Sequence, residues 1–183
     1  MLYKFTRHRR RERGFSLLEM MLATVILLVG LVAVAQLVPT SILLNFRNRN
    51  DSAAMVFAQR ELDQFVDQPL SSNSFTDAES KVCQLGNSAT PTPSNPNASF
   101  GSPVVVINNL VFIDFGASPV SNYSFTYTDP TDPSGTTFDV RWAVILTGDG
   151  AHVFNKRFIL GVRQQGGNGY FQPITLDTIK AKG

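Results

Sequence analysis

The clearest candidate for chemistry in this sequence is a carboxylate at the start of an apolar segment. Glu19 follows a basic segment with six Lys and Arg residues and precedes residues 25–35, none of which has a polar side chain. A carboxylate at the start of a membrane helix costs free energy unless it is paired or lies near the interface. Glu19 therefore either lies among lipid headgroups or has a partner.

The sequence around Glu19 is GFSLLE, residues 14–19. It resembles the processing signal of type IV pilins and pseudopilins. The resemblance implies that a prepilin peptidase cuts between Gly14 and Phe15 and methylates the new N-terminus at Phe15. A glycine before the cut agrees with this role, because the missing side chain lets a protease approach the backbone closely.

The same resemblance implies an assembly contact at Glu19. In this family the glutamate of one subunit neutralises the N-terminal ammonium of its neighbour, and the matching groups here are Glu19 and Phe15. Two charges that are each costly in an apolar setting offset one another when they lie close and hydrogen-bonded. Glu19 would then set the register between helices and would not be a catalytic acid.

Residues 15–38 form the predicted transmembrane and filament-core helix. The 24 residues are interrupted only by Ser16, Glu19, Thr24 and Gln36. A helix of this length covers ~36 Å, enough for a ~30 Å hydrocarbon layer, and satisfies its own backbone hydrogen bonds there. The resemblance favours continuation past Pro39, with a bend, to about Gln68.

The charge distribution predicts the orientation in the membrane. Residues 1–14, the predicted cleaved leader, have six Lys and Arg against one Glu, which leaves the remaining chain at −3 from a total of +2. An excess of positive charge before the span predicts a cytoplasmic N-terminus and an external C-terminal part. In a bacterium this is a single pass through the inner membrane, with the C-terminal domain in the periplasm before export to the pilus and cell surface.

The N-terminal region also fits two different targeting signals. Ala33-Val-Ala35 fits an ordinary signal peptidase site that would release a chain starting at Gln36, and the arginine pairs allow a twin-arginine signal. Neither of these signals accounts for the GFSLLE pattern. A nucleic-acid contact by the basic segment is not predicted, because targeting accounts for its charge.

Residues 39–69 are predicted to continue the helix as an amphipathic segment. Apolar residues recur there at three- and four-residue spacing, which is typical of a helix that packs on a domain. They are Met55, Ala58, Leu62, Phe65 and Val66. Pro69 is expected to end the helix.

The remainder is predicted to be a polar loop followed by a sheet. Residues 70–103 are rich in Ser, Asn, Thr and Pro and predict a long, partly disordered surface connection. Residues 104–183 predict an antiparallel meander of four or five strands, with one face available to the helix. The fold class is therefore α+β, and packing of the two parts as in a pilin is what the resemblance adds.

Within the β region, strands are predicted at 104–107, 110–115 and 123–128, and a last one at 170–179. Between them Phe138, Val140, Trp142, Val144 and Leu146 are expected to face one way, with Asp139 and Arg141 facing the other. The segment 138–144 also looks like the aromatic-rich strand of PilV-type minor pilins.

Residues for catalysis are few, so no enzyme is predicted. His8 lies in the leader, which leaves His152, and Cys83 has no second cysteine with which to pair; it is expected to be a free thiol or to bridge two subunits. No P-loop or GxSxG signature occurs, and no cofactor or metal is predicted. A weaker alternative is a calcium loop, because carboxylate and hydroxyl oxygens crowd one turn. These are Asp129, Asp132, Ser134 and Asp139.

The sequence thus predicts a minor type IV pilin, most like the PilV type. The partners implied by the resemblance are prepilin peptidase, other pilin or pseudopilin subunits, an inner-membrane assembly platform and membrane lipid. The alternatives are a minor pseudopilin of type II secretion and a membrane-anchored or secreted binding domain with no filament role.

Overall fold

A computed structural model describes residues 14–130, 135–165 and 172–182. The described residues contain one helix and nine strands. They are α1 (Leu17–Asp67), β1 (Ser74–Thr76), β2 (Val82–Gln84), β3 (Asn97–Gly101), β4 (Val104–Ile107), β5 (Leu110–Ile113), β6 (Ser124–Thr128), β7 (Thr137–Gly148), β8 (Val153–Gln165) and β9 (Ile174–Ala181). The chain divides into two compact units, Met1–Arg47 and Asn48–Gly183.

In the first unit, α1 continues through Pro39, as predicted. Two polar side chains of this part bond to the helix itself. The Thr24 hydroxyl donates to the Met21 carbonyl at 2.9 Å, and the Thr40 hydroxyl donates to the Gln36 carbonyl at 3.0 Å. These hydroxyls therefore need no partner outside the helix.

The second unit is built on a five-stranded antiparallel sheet. β7 pairs with β8 along one edge, and β8 pairs with β9. The other edge of β7 is shared, because β3 pairs with residues 143–147 and β6 pairs with residues 137–141. Between them, the Trp142 amide donates to the Tyr123 carbonyl, and the Trp142 carbonyl accepts from the Ser102 amide. The predicted α+β architecture, a long helix packed on antiparallel strands, is confirmed.

One face of the sheet packs against the second part of α1. Its alternating residues on β7, Phe138 to Leu146, are buried as predicted. Phe65 of α1 contacts Trp142 and Phe158 with ring centroids 5.3 and 5.8 Å apart. Of the predicted stripe, Ala58 and Phe65 are fully buried, whereas Met55 is 37% exposed.

The helix face turned to the sheet is therefore slightly different from the predicted one. Besides Ala58 and Phe65, the buried positions of α1 include four residues that the prediction left out: Asn50, Ala54, Phe57 and Glu61. Phe57 stacks on Tyr127 at 4.0 Å. The predicted three- and four-residue spacing was correct, but the buried face lies about one residue earlier in the sequence than the predicted stripe.

The opposite face of the sheet is also covered, which the sequence did not predict. β4 and β5 form a separate hairpin, turning at Asn108 and Asn109, whose φ angles are 51° and 63°. Such a two-residue turn matches the twist of its strands and closes them on each other. Ile113 of β5 and the following Phe115 pack on Ala143 and Ile159.

The expectation of a partly disordered connection at 70–103 was wrong. This segment contains β1, β2 and β3, and Cys83 and Leu85 are fully buried. Side chains that are distant in sequence fix this segment by hydrogen bonds to its backbone carbonyls. The Trp142 indole donates to the Gln84 carbonyl at 2.8 Å, and the buried Lys156 ammonium donates to the Ser72 carbonyl at 2.6 Å and the Leu85 carbonyl at 3.1 Å.

The C-terminal end of α1 is fixed by the last strand. The Lys180 ammonium donates to the Val66 carbonyl at 2.5 Å and to the Gln68 carbonyl at 2.8 Å. These carbonyls have no partner within the helix, and a cation there also complements the helix dipole.

Packing of the hairpin on the sheet can be tested at Gly161 of β8. A Cβ at this position would lie 2.8 Å from Ile113 Cβ and 3.0 Å from Phe115 Cε2. We expect Gly161→Ala to lower the free energy of unfolding by about 1–3 kcal/mol, because the core would be overpacked. The measurement is urea unfolding in detergent micelles, followed by fluorescence of Trp142, the single tryptophan. Gly30→Ala is the control, since a Cβ there meets nothing within 4 Å. Equal stability of both variants would contradict the packing.

The buried Lys156 predicts a stability that increases at alkaline pH. Burial lowers its pKa from 10.5 to about 8. The folded chain therefore binds fewer protons than the unfolded chain between those values, so stability rises as pH increases from about 8 to 10.5. We expect the free energy of unfolding of the wild type, relative to Lys156→Met, to increase by roughly 2 kcal/mol over this range. A difference that stays constant with pH would contradict the prediction.

Candidate functional site

The predicted cleavage site lies just before the start of α1. Ser16 is the N-cap: its hydroxyl oxygen accepts from the Leu18 amide at 3.2 Å, and its carbonyl accepts from the Met20 amide at 3.1 Å. Gly14 and Phe15 precede the first turn, outside the helical hydrogen bonds. Phe15 is 79% exposed, and a Cβ on Gly14 would meet no described atom within 4 Å. A protease can therefore reach this peptide bond without first opening a helical turn.

Glu19 lies in the first turn of α1 and is exposed. Ser16 and Glu19 have the S-x-x-E spacing of a capping box, and a carboxylate in the first turn is favourable to the helix dipole. The geometry thus leaves a carboxylate four residues after the predicted new N-terminus, open to another molecule. Its role as an assembly contact stays a prediction.

The first part of α1 has an apolar surface that no described residue of its unit covers. A window of 18 residues has a mean hydropathy of 2.6 and is 0% buried, so the helix is long and apolar enough to cross a membrane. The large side chains concerned are exposed by half or more; among them are Leu22, Ile26, Leu28, Leu31, Val34 and Leu37. Lipid or other helices must remove this surface from water.

Comparison with known proteins locates the similarity at this end of the chain. Residues 9–35 match the family model of the prokaryotic N-terminal methylation motif. The chain carries a prepilin-type methylation motif. The motif supports a type IV pilin-like or pseudopilin protein that is processed by a prepilin peptidase, assembles with other pilins and is anchored in a membrane by its N-terminal helix. No curated protein and no solved structure matched the chain.

The structure describes the weaker calcium alternative only in part. Asp132 and Ser134 of the weaker calcium alternative lie outside the described residues, as do His8 of the leader and residues 166–171. Asp139 accepts from the Arg141 guanidinium at 2.9–3.1 Å and from Arg163 at 3.3 Å. Its charge is already balanced by arginines.

The two remaining candidates for reactive side chains, Cys83 and His152, differ in their exposure to solvent. Cys83 is free and fully buried, as one of its two interpretations allows, and burial raises the pKa of its thiol. A buried thiol of this kind is unreactive. His152 is exposed, with Nδ1 3.7 Å from an Asp149 carboxylate oxygen.

The structure brings together three acidic residues that were not predicted as a site. Glu61, Asp77 and Glu79 each offer a carboxylate oxygen within 4.8 Å of the others, an arrangement that could hold a metal ion. Glu61 belongs to the folded unit, beyond the apolar segment, and burial followed by the nearby Asp77 raises its pKa to about 8. One sequence feature could have indicated this site: Glu61 has the helical spacing of the buried positions 54, 58 and 65, which places its carboxylate on the buried face.

Processing can be tested at Gly14 without disturbing the fold. Because a larger side chain there meets no described atom within 4 Å, we expect Gly14→Val to fold and insert normally. Cleavage should fail, since the peptidase loses close approach to the backbone. Mass spectrometry of the membrane fraction should then find mainly chains that keep residues 1–14. Gly30→Ala is the control, and efficient cleavage of Gly14→Val would contradict the assignment.

Proposed function

We propose that this protein is a minor type IV pilin. A prepilin peptidase cuts between Gly14 and Phe15 and methylates Phe15. The mature chain is held in the inner membrane by residues 15–38 and then enters a pilus, where the same helix packs among those of other subunits. Residues 48–182 form the domain that the filament displays.

The observation that carries this proposal is the combination at the helix start. The junction of Gly14 and Phe15 is exposed and non-helical, Glu19 is an exposed carboxylate in the first turn, and the apolar surface that follows is uncovered. A membrane anchor alone needs only the apolar surface. Helix assembly also needs a means of balancing the new N-terminal charge, and Glu19 of a neighbouring subunit supplies it.

The location and partners follow from the same elements. The basic residues 4–13 keep the N-terminus cytoplasmic, so the folded unit lies in the periplasm before export to the cell surface. The partners are prepilin peptidase, other pilins, the inner-membrane assembly platform and lipid. Assembly and display, and not catalysis, are the proposed activities.

The assignment to minor pilins of the PilV type rests on the opening sequence and on β7. Residues 14–37 resemble those of this subgroup, and residues 138–144 form the central, aromatic-rich strand of the sheet. A minor pseudopilin of type II secretion shares the same processing and helix. Co-purification with a pilus or with a secretion complex separates these two.

The test combines processing with assembly. We expect the mature N-terminal peptide from native membranes to begin at Phe15 and to have the mass of one added methyl group. Glu19→Ala should keep this processing and its membrane insertion, but its amount in sheared filaments should fall at least about tenfold. A tenfold loss corresponds to only about 1.4 kcal/mol, and breaking a buried ion pair costs more.

Glu12→Ala is the matched control, because it removes a carboxylate that is discarded with the leader. It should leave the amount in filaments unchanged. A mature chain that starts at Gln36 would mean a secreted domain and would overturn the proposal. Incorporation of Glu19→Ala at the wild-type level would overturn the role of Glu19.

A further inference from the structure

The three carboxylates of Glu61, Asp77 and Glu79 come from two elements of the folded unit. Glu61 is on α1, whereas Asp77 and Glu79 are on the turn between β1 and β2. Glu61 is fully buried and Asp77 is 6% exposed. The Glu79 side chain is 21% exposed, so the group has a route to solvent. We name Glu61, Asp77 and Glu79 the acidic cluster.

The turn that presents two of these residues is well fixed. The Asp77 amide donates to the Lys81 carbonyl, and Asp77 Oδ1 accepts from the Lys81 amide at 2.6 Å. Ser80 completes the turn with a φ of 60°. The Gln64 side chain joins the turn to the helix, since it donates to Glu61 Oε1 at 3.1 Å and accepts from the Ala78 amide at 2.9 Å.

Two oxygens of the acidic cluster have no hydrogen-bond donor among the described residues. They are Glu61 Oε2 and Glu79 Oε2, and both are shielded from solvent. Glu61 is the decisive one, because its whole side chain is buried and only its Oε1 is used, by Gln64 and Arg60. A buried carboxylate oxygen without a partner costs free energy that a ligand could recover.

The charges within the acidic cluster do not balance. Arg60 forms ion pairs with Glu79 and, at 3.5 Å, with Glu61. Its guanidinium also lies over the rings of Phe57 and Tyr127, 5.1 and 5.8 Å from their centroids. When all three carboxylates are ionised, as they would be around a bound cation, one arginine leaves a formal charge of −2, which a divalent cation would neutralise.

We propose that the acidic cluster binds a divalent cation of the calcium type, with the free oxygens of Glu61 and Glu79 and a carboxylate oxygen of Asp77 as ligands. Calcium takes oxygen ligands in a flexible geometry and completes its shell with water, which the exposed side at Glu79 admits. Zinc prefers nitrogen and thiolate ligands, which these three residues lack. The ion would join α1 to the β1–β2 turn, and this role is independent of filament assembly.

The test measures the thermal stability of the full chain in detergent micelles, followed by fluorescence of Trp142. After treatment with a chelator, excess calcium chloride should raise the Tm of the wild type by about 5 °C or more. Titration calorimetry should give about one calcium ion per chain. Magnesium chloride at the same concentration should raise the Tm less, because magnesium demands a stricter geometry and keeps more of its water.

Glu61→Gln is the decisive variant, because it keeps the size of the side chain and cannot become an anionic ligand. It should fold with a Tm in chelator at least equal to that of the wild type, and its Tm should not respond to calcium. Asp63→Asn, on the same helix at an exposed position, is the matched control and should respond like the wild type.

Three results would overturn the proposal. They are a wild-type Tm that does not change with calcium, a calcium response that survives in Glu61→Gln, and a response confined to zinc chloride. The first would mean that the carboxylates share a proton in place of a metal. None of these results depends on whether the chain enters a pilus.

Discussion

The organisation of this protein depends on one solvation constraint: the first part of α1 has an apolar surface that the described residues of its unit leave uncovered. Backbone hydrogen bonds are satisfied within the helix, and the hydroxyls of Thr24 and Thr40 bond to helix carbonyls, so lipid is an acceptable surrounding. Glu19 is the charged exception in this apolar run, and it lies in the first turn of α1. A helix that fits lipid in this way can also fit among similar helices, because both surroundings are apolar.

The second unit meets a different requirement, since both faces of its sheet must be kept from water. The second part of α1 covers one face with Phe57 and Phe65, and the β4–β5 hairpin covers the other with Ile113 and Phe115. The middle parts of β7 and β8 are therefore buried on both sides. The ion pairs of Asp139 with Arg141 and Arg163 lie on the face of the sheet that the hairpin covers. The outward side of the hairpin stays apolar and exposed at Val106, Ile107 and Leu110.

The parts of this structure that the sequence predicted are those governed by local periodicity. The uninterrupted apolar run predicted the first part of α1, and the alternation from Phe138 to Leu146 predicted β7. The order in residues 70–103 was not predictable in this way, because its short strands are polar and are held by Trp142 and Lys156 from distant positions. The acidic cluster was missed for the same reason: Glu61 and the β1–β2 turn meet only through tertiary packing. The motif at Gly14, Phe15 and Glu19 was recognisable because all its parts are adjacent in sequence.

The contact of Lys180 with the end of α1 has a consequence for the order of folding. It joins the Val66 and Gln68 carbonyls to a residue more than a hundred positions later in the chain. Closing so long a loop carries an entropic cost that nearby contacts do not. During synthesis the membrane helix is complete long before β9 leaves the ribosome. The anchor is therefore ready for insertion while the second unit still lacks β9, and this unit completes its fold only after β9 has been synthesised.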